Sequence, residues 1–369
     1  MTIDTIFAPS FGNRPSQLVG REPQIGTMLA GLDSAPGSRE RSIVMLGQRG
    51  SGKTVLLWEL AERARARGWT VASPTIPSEG MLDRIVEKLQ ADAGRYVEGD
   101  DHACISGGSI GALGFSVGVQ FSKDAPTVAS PEHRLTQTVQ RLSELGRGSL
   151  ILIDELQANS PEVRQLVSVY QELVGQGLDV AIVMAGLPGA VSATLNDRVL
   201  TFLNRARKLP LPAIPIGDVE AFYEDAFREL GIASTGPMTR QAAEASQGSA
   251  YLMQLLGHNI AIRLQPGGEL TPDILESAAA SSQADFENDV CETTLRALSD
   301  RDVDFLTAMA PDEGSSRIGD VAERLGVTPD YAQKYRRRLL DAGVVEQAGR
   351  GRLTFAVPYL RDHLLSNGL

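Results

Sequence analysis

Cysteine is scarce in this 369-residue chain: Cys104 and Cys291 are its only two. They build no disulfide framework and sit at no metal-ligand spacing, so both are expected as free thiols in a reducing compartment. Long apolar runs are missing as well, and no stretch approaches the roughly 20 residues that a membrane span requires. Met1 to Ser16 lacks the basic run and apolar block of a signal peptide. The expectation is a cytoplasmic protein with no membrane partner. Positive charge is also in deficit: 35 Lys and Arg stand against 46 Asp and Glu, a formal charge of −11. That excludes a protein coating nucleic acid over its whole surface, but leaves room for a small basic face on one domain.

What the chain does have is an ordinary globular composition, 42% hydrophobic, at a length that fits two or three domains. Between residues 17 and 216, short aliphatic runs alternate with longer amphipathic stretches, the mark of an α/β sheet domain. The runs Ser42–Leu46, Trp69–Ser73, Ser149–Asp154, Asp179–Ala185 and Lys208–Ala213 are mostly continuously apolar, as strands buried on both faces of a parallel sheet should be. Residues 217–290 show no strand pattern and predict an all-helical module, broken at Gly231, Gly248 and Pro266-Gly267-Gly268. Residues 291–369 predict three helices and a short strand pair, and residues 1–16 an N-terminal tail. A glycine-rich insertion at about 104–122 alternates Phe115, Val117, Val119 and Phe121 with small or polar residues, the pattern of a β-ribbon. It reads either as a surface hairpin packed on its own domain or as a protruding contact for another subunit or a polymer.

Gly47-Gln48-Arg49-Gly50-Ser51-Gly52-Lys53-Thr54 satisfies every fixed position of the phosphate-loop pattern G-x-x-x-x-G-K-[ST]. It follows an apolar strand and opens an amphipathic helix, the context that gives the motif its meaning. Glycines let the loop turn its N–H groups onto phosphate oxygens, and the helix N-terminus adds partial positive charge. Lys53 is expected to reach the β- and γ-phosphates of ATP, and Thr54 to ligate Mg2+. About a hundred residues later, Ser149–Ile153 delivers Asp154 and Glu155 to the C-terminal edge of a strand, where open α/β sheets bind ligands. Asp154 is placed to hold the metal and Glu155 to deprotonate the attacking water.

Together these motifs resemble the AAA+ superfamily, and within it the initiator-type and STAND-type ATPases that carry a winged helix after a helical lid. Leu18-Val19-Gly20-Arg21-Glu22 resembles the segment that opens many such domains, which implies that Val19, Gly20 and Arg21 line the adenine pocket. Phe202 to Arg207 resembles the arginine-finger position, implying Arg205 first and Arg207 second; arginines capping a helix C-terminus are the other reading. A finger acting in trans implies a homo-oligomer. Ser246 to Leu252 resembles the sensor 2 segment of the lid. Two departures stand out. Met184-Ala185-Gly186-Leu187-Pro188 has no Asn, Ser or Thr where sensor 1 falls, and Ser249-Ala250 stands where an arginine or proline is usual. Both imply slow turnover.

The C-terminal residues resemble a winged-helix domain: a capping box at Ser299–Asp302, a helix near Ile318–Leu325, a third helix opened by Thr328-Pro329, then two strands flanking Gly349–Arg352. At 100° per residue, Thr328, Ala332, Tyr335 and Leu339 share the third helix's inner face. Gln333, Lys334 and Arg337 then point away from the core, with Arg338 at the edge. Residues 296–369 hold 11 basic and 11 acidic side chains, whereas 331–353 hold 6 and 2. The charge therefore gathers on the third helix and wing, and Gln333, Lys334, Arg337, Arg338, Arg350 and Arg352 are the candidate contacts to double-stranded DNA. A protein-contact or autoinhibitory module, as in a signalling switch, is the competing reading. The expected architecture is a P-loop parallel-sheet ATPase domain, an all-helical lid and a winged helix.

Overall fold

Five apolar runs become five parallel strands: β1 (Ser42–Leu46), β2 (Thr70–Thr75), β3 (Ser149–Ile153), β4 (Val180–Gly186) and β5 (Arg207–Pro210). The computed structural model describes residues 6–10, 15, 17–94, 129–157, 160–195, 201–264 and 267–367; Cys104 and the expected ribbon at 104–122 lie outside them. The sheet order is β2-β3-β4-β1-β5. Leu46 pairs with Gly186, and Ile153 with Met184, so β1, β3 and β4 finish along one edge. Alternate side chains supply two layers. Val44, Ile151, Ile153, Ile182 and Met184 face one helical layer, which includes α3 (Met81–Gly94), α4 (Pro131–Glu144) and α5 (Pro161–Gly175). Ile43, Met45, Leu150, Leu152, Ala181 and Val183 face the other, with α1 (Glu22–Leu32) and α2 (Lys53–Arg65). Each fully buried aliphatic side chain contributes about 1.5–3 kcal/mol. This two-sided burial explains why β1, β3 and β4 read as nearly unbroken apolar runs; at the edge, β5 buries only Leu209.

After the short helix α6 (Pro188–Leu195), a 3₁₀ turn at Thr201–Arg205 leads into β5. Four helices follow: α7 (Ile216–Leu230), α8 (Gly236–Ala245), α9 (Ala250–Arg263) and α10 (Pro272–Phe286). The N-terminal residues do more than trail as a tail. Ile6 and Phe7 are buried in the helical core among Phe222, Tyr223 and Phe227, and Gly257 leaves the space that the Phe7 ring fills. The Ala8 N–H donates to Gln254 Oε1 at 2.9 Å. An aromatic pair of Phe7 and Phe222 at 5.8 Å, edge to face, was not legible because the partners lie more than 200 residues apart.

Helix α10 runs on through a single turn of π-helix, Glu287–Cys291, into α11 (Glu292–Arg296). Then come α12 (Asp300–Met309), β6 (Ser316–Arg317), α13 (Ile318–Arg324), α14 (Pro329–Ala342), β7 (Val345–Gly349), β8 (Arg352–Phe355) and α15 (Leu360–Ser366). The three strands form an antiparallel sheet in the order β6-β8-β7. Ser299 and Asp302 make the reciprocal capping box that opens α12. No linker isolates this unit: Leu252 and Leu255 of α9 and Phe286 of α10 share one core with Phe305, Leu306, Met309 and Leu339. Cys291 is a buried free thiol in that core, pushed up to about 12 by burial and by Glu287.

Candidate functional site

The loop between β1 and α2 closes on itself. Gly50 and Gly52 have φ of +71° and +86°, a conformation that costs other residues roughly 1–2 kcal/mol. A side chain at Gly47 would collide with Ser51. Lys53, half-buried at the start of α2, donates to the carbonyls of Gly47 at 2.9 Å and Gln48 at 2.7 Å. Burial pushes its amine down to about 8, opposed by the negative charge of Asp154 and reinforced by Arg49. Arg49 itself is exposed. The Ser51 hydroxyl is buried with no hydrogen-bond partner among the described residues.

Asp154, only 5% exposed at the end of β3, accepts from the Thr54 hydroxyl at 2.6 Å. The two residues the sequence assigned to one metal thus meet across 100 positions. A hydroxyl and a carboxylate are hard oxygen donors suited to Mg2+, and the donor set fits that ion. Glu155 follows with φ +54°, an uncommon conformation for a residue with a side chain. Its N–H donates to Asp154 Oδ1 at 2.9 Å, which fixes the buried carboxylate and leaves Glu155 itself exposed.

The segment expected to line the adenine pocket bridges the sheet domain and the lid. Val19 is buried with Ile214, Val219 and Phe222. Gly20, at φ +63°, has no room for a Cβ, which would come within 2.7 Å of Ile214. Arg21 is 4% exposed, and its guanidinium donates to the carbonyls of Pro212 at 2.8 Å and Ser51 at 3.3 Å. It clamps the phosphate loop to the chain that leaves β5.

The first of the two departures in the sequence has a packing reason. A Cβ at Gly186 would lie 2.9 Å from that of Leu156, so the tip of β4 has no space for a polar side chain. Nearby, a cleft beside Leu46 is lined by Ser192, Asn204 and Lys208 from the sheet domain and by Leu340 and Asp341 from α14. These polar groups were missed, although Asn204 adjoins Arg205. On the lid side, Ser249 caps α9, and the Tyr251 N–H donates to the Gly50 carbonyl at 3.0 Å. The helix start rests directly on the loop.

Arg205 is exposed, with no ion pair among the described residues. On α14, Ala332, Tyr335 and Leu339 are buried, while Gln333, Lys334 and Arg337 are exposed; Arg350 is exposed on the turn between β7 and β8. Arg338 instead pairs with the buried Asp302 at 2.6 Å, and Arg352 donates to the Ser315 hydroxyl at 2.9 Å. Each has an internal partner, although Arg338 stays about half exposed, at 47%. The far end of α14 rests on the sheet domain: Gln48 donates to the Gly343 carbonyl, and a Cβ at Gly189 would lie 3.1 Å from the backbone of Ala342.

Residues 17–183 match the AAA ATPase domain family. Residues 288–364 match a family described only as a domain of unknown function. Among curated proteins nothing matches. In fold the chain is similar to the Walker-type ATPase PABY2304 of Pyrococcus abyssi, at 15% identity and a TM-score of 0.69, over 95% of this chain and 97% of that one. It is also similar to the ORC2 protein of Aeropyrum pernix in its ADPNP–ADP complexes, at 17% identity and a TM-score of 0.63, over 98% and 97%. Cdc6p from Pyrobaculum aerophilum shares the fold at 17% identity and a TM-score of 0.50, over 98% and 97%. Over most of its length the chain thus shares the fold of these structures, and its residues 17–183 match an AAA ATPase domain.

Proposed function

We propose that this protein binds ATP with Mg2+, hydrolyses it slowly, and uses the nucleotide state to govern subunit assembly and duplex DNA binding through a C-terminal winged helix. The observation that carries the nucleotide half is the 2.6 Å contact of Thr54 with Asp154, flanked by Lys53 and the open Glu155. The backbone N–H groups of 47–54 cradle the phosphates and Lys53 neutralises the terminal ones. Bound Mg2+, held by Thr54 and Asp154, supplies charge neutralisation at the phosphate oxygens. Glu155 orients the water and takes its proton. Without a polar side chain at the β4 tip or an arginine at the start of α9, fewer groups stabilise the transition state, so turnover is slow. Complexes of the Aeropyrum pernix ORC2 protein with ADPNP and ADP support the nucleotide reading.

The DNA half rests on the exposed face of Gln333, Lys334 and Arg337, joined by Arg350. A duplex bound there must be lost steeply with added salt, because each neutralised phosphate releases counterions. The competing reading, a switch whose C-terminal unit makes protein contacts, draws on the Gln48–Gly343 contact.

Assembly has its own test. Arg205 is the candidate finger, exposed and without an ion pair among the described residues, and it acts on a neighbour's nucleotide. Turnover per subunit should therefore rise with protein concentration, and Arg205→Ala should lower it about 10³-fold or more while ATP affinity holds. Constant turnover in a strict monomer would remove assembly from the account.

A further inference from the structure

Besides the contact of Gln48 with Gly343, a second path joins the phosphate loop to the C-terminal unit. Tyr251, in the first turn of α9, touches the loop through its backbone: its N–H donates to the Gly50 carbonyl at 3.0 Å. Their separation is tight, since a Cβ at Gly50 would sit 2.9 Å from that of Tyr251. A shift of this loop segment is therefore passed to the start of α9 by direct contact. At its other end, the Tyr251 phenol donates to Asp289 Oδ2 at 2.7 Å. Burial and the Asp289 carboxylate both raise the phenol's pKa, so it stays a donor across the ordinary pH range.

Asp289 lies in the π turn Glu287–Cys291, where α10 passes into the C-terminal unit. A π turn carries one residue more than an α turn, and such turns occur mostly as local distortions that mark functional sites. This one is gripped from several sides. Glu287 meets His363 Nδ1 of α15 at 3.2 Å and accepts from Gln283 at 2.6 Å. Val290 and Cys291 are buried in the core that the lid shares with the C-terminal unit. The Phe286 ring just before it lies between those of Tyr251, at 6.2 Å, and Tyr359, at 6.3 Å.

We propose that Tyr251 is a positioning residue that couples occupancy of the phosphate loop to the orientation of the C-terminal unit, with the π turn at 287–291 as the hinge. This rests on the nucleotide reading of the loop. Filling the loop with phosphate shifts Gly50, α9 follows as a rigid body, and the phenol draws Asp289 with it. The hinge then converts a small displacement at the loop into a rotation of α12 to α15.

The test is the distance between spin labels on cysteines introduced at Gln176 and Asp320, both exposed, in a Cys104→Ser background, with and without ATP and Mg2+. The parent should show a shift of several ångströms. Asp289→Ala should bind ATP within about threefold of the parent yet lose the shift, and Tyr251→Phe should lose it too. Asp289→Asn keeps an acceptor for the phenol and should restore it, which a merely structural role for the aspartate would not explain. A full shift in Tyr251→Phe, or ATP binding by the parent with no shift, overturns the proposal and leaves the nucleotide site standing. A parent that binds no ATP overturns the nucleotide reading itself.

Discussion

Glu155→Gln is expected to bind ATP within about threefold of the parent and to hydrolyse it at least ~10²-fold more slowly, the range for loss of a general base. The side chain is exposed at the edge where β1, β3 and β4 end, and none of the hydrogen bonds that shape the phosphate loop use it. The contact that the residue does make is through its N–H, to Asp154, and glutamine keeps that. The uncommon φ of +54° is the same for both side chains, so folding should be little changed. Phosphate release at saturating ATP, set beside calorimetric binding, separates the two effects. If the variant turned over like the parent, Glu155 would not be the base.

Lys53→Ala should show no measurable ATP binding. The amine is half-buried and opposes two carboxylates and one guanidinium, so it is the main cation facing the terminal phosphates. Its lowered pKa adds a second readout. Free protein carries this amine with a pKa of about 8 against an ordinary 10.5. Below pH 8 it is charged in both the folded and unfolded states. Between about 8 and 10.5 the unfolded chain holds the proton and the folded one does not, so this group makes stability rise with pH across that window. Phosphate binding favours the charged form and draws the pKa back up. ATP binding at pH 8.5–9 should therefore take up a proton, seen as a binding enthalpy that changes with the buffer's ionisation heat. A buffer-independent enthalpy would place the amine outside the phosphates' field.

The parts of this molecule that were legible in the sequence are those fixed by local chemistry. Ser42–Leu46 read as a strand because it is buried on both faces. The phosphate loop read as a loop because its positive-φ glycines have no substitute. The two motifs pair Thr54 with Asp154, and the residues meet at 2.6 Å. The inner face of α14 followed from the 100° rule, with Ala332, Tyr335 and Leu339 buried. What was not legible depends on contacts between distant segments. The 100° rule puts Arg338 at the edge of that face, but its pairing with Asp302, 36 residues earlier, has no local sign. Arg352 falls in the expected wing, at the start of β8, and its bond to the Ser315 hydroxyl, 37 residues earlier, has no sign in the sequence. Phe7 looked like part of a tail because nothing local announces a gap at Gly257. The π turn at 287–291 has no composition signal, since its extra residue is an adjustment to packing on both sides.

The central claim is that nucleotide at the phosphate loop governs duplex binding at α14 and the turn after β7. Its most direct test is anisotropy of a labelled duplex, titrated at two low salt concentrations with and without ATP and Mg2+, for the parent and for Lys334→Ala/Arg337→Ala/Arg350→Ala. The account predicts that the parent binds with an affinity that changes on adding ATP, with a log–log salt slope of about −0.9 per phosphate contact. Each phosphate-contacting charge removed should shrink that slope by about one unit, so the triple variant should bind weakly and with little salt dependence. A triple variant that binds the duplex as the parent does, or a parent whose affinity is the same with and without ATP, would contradict it.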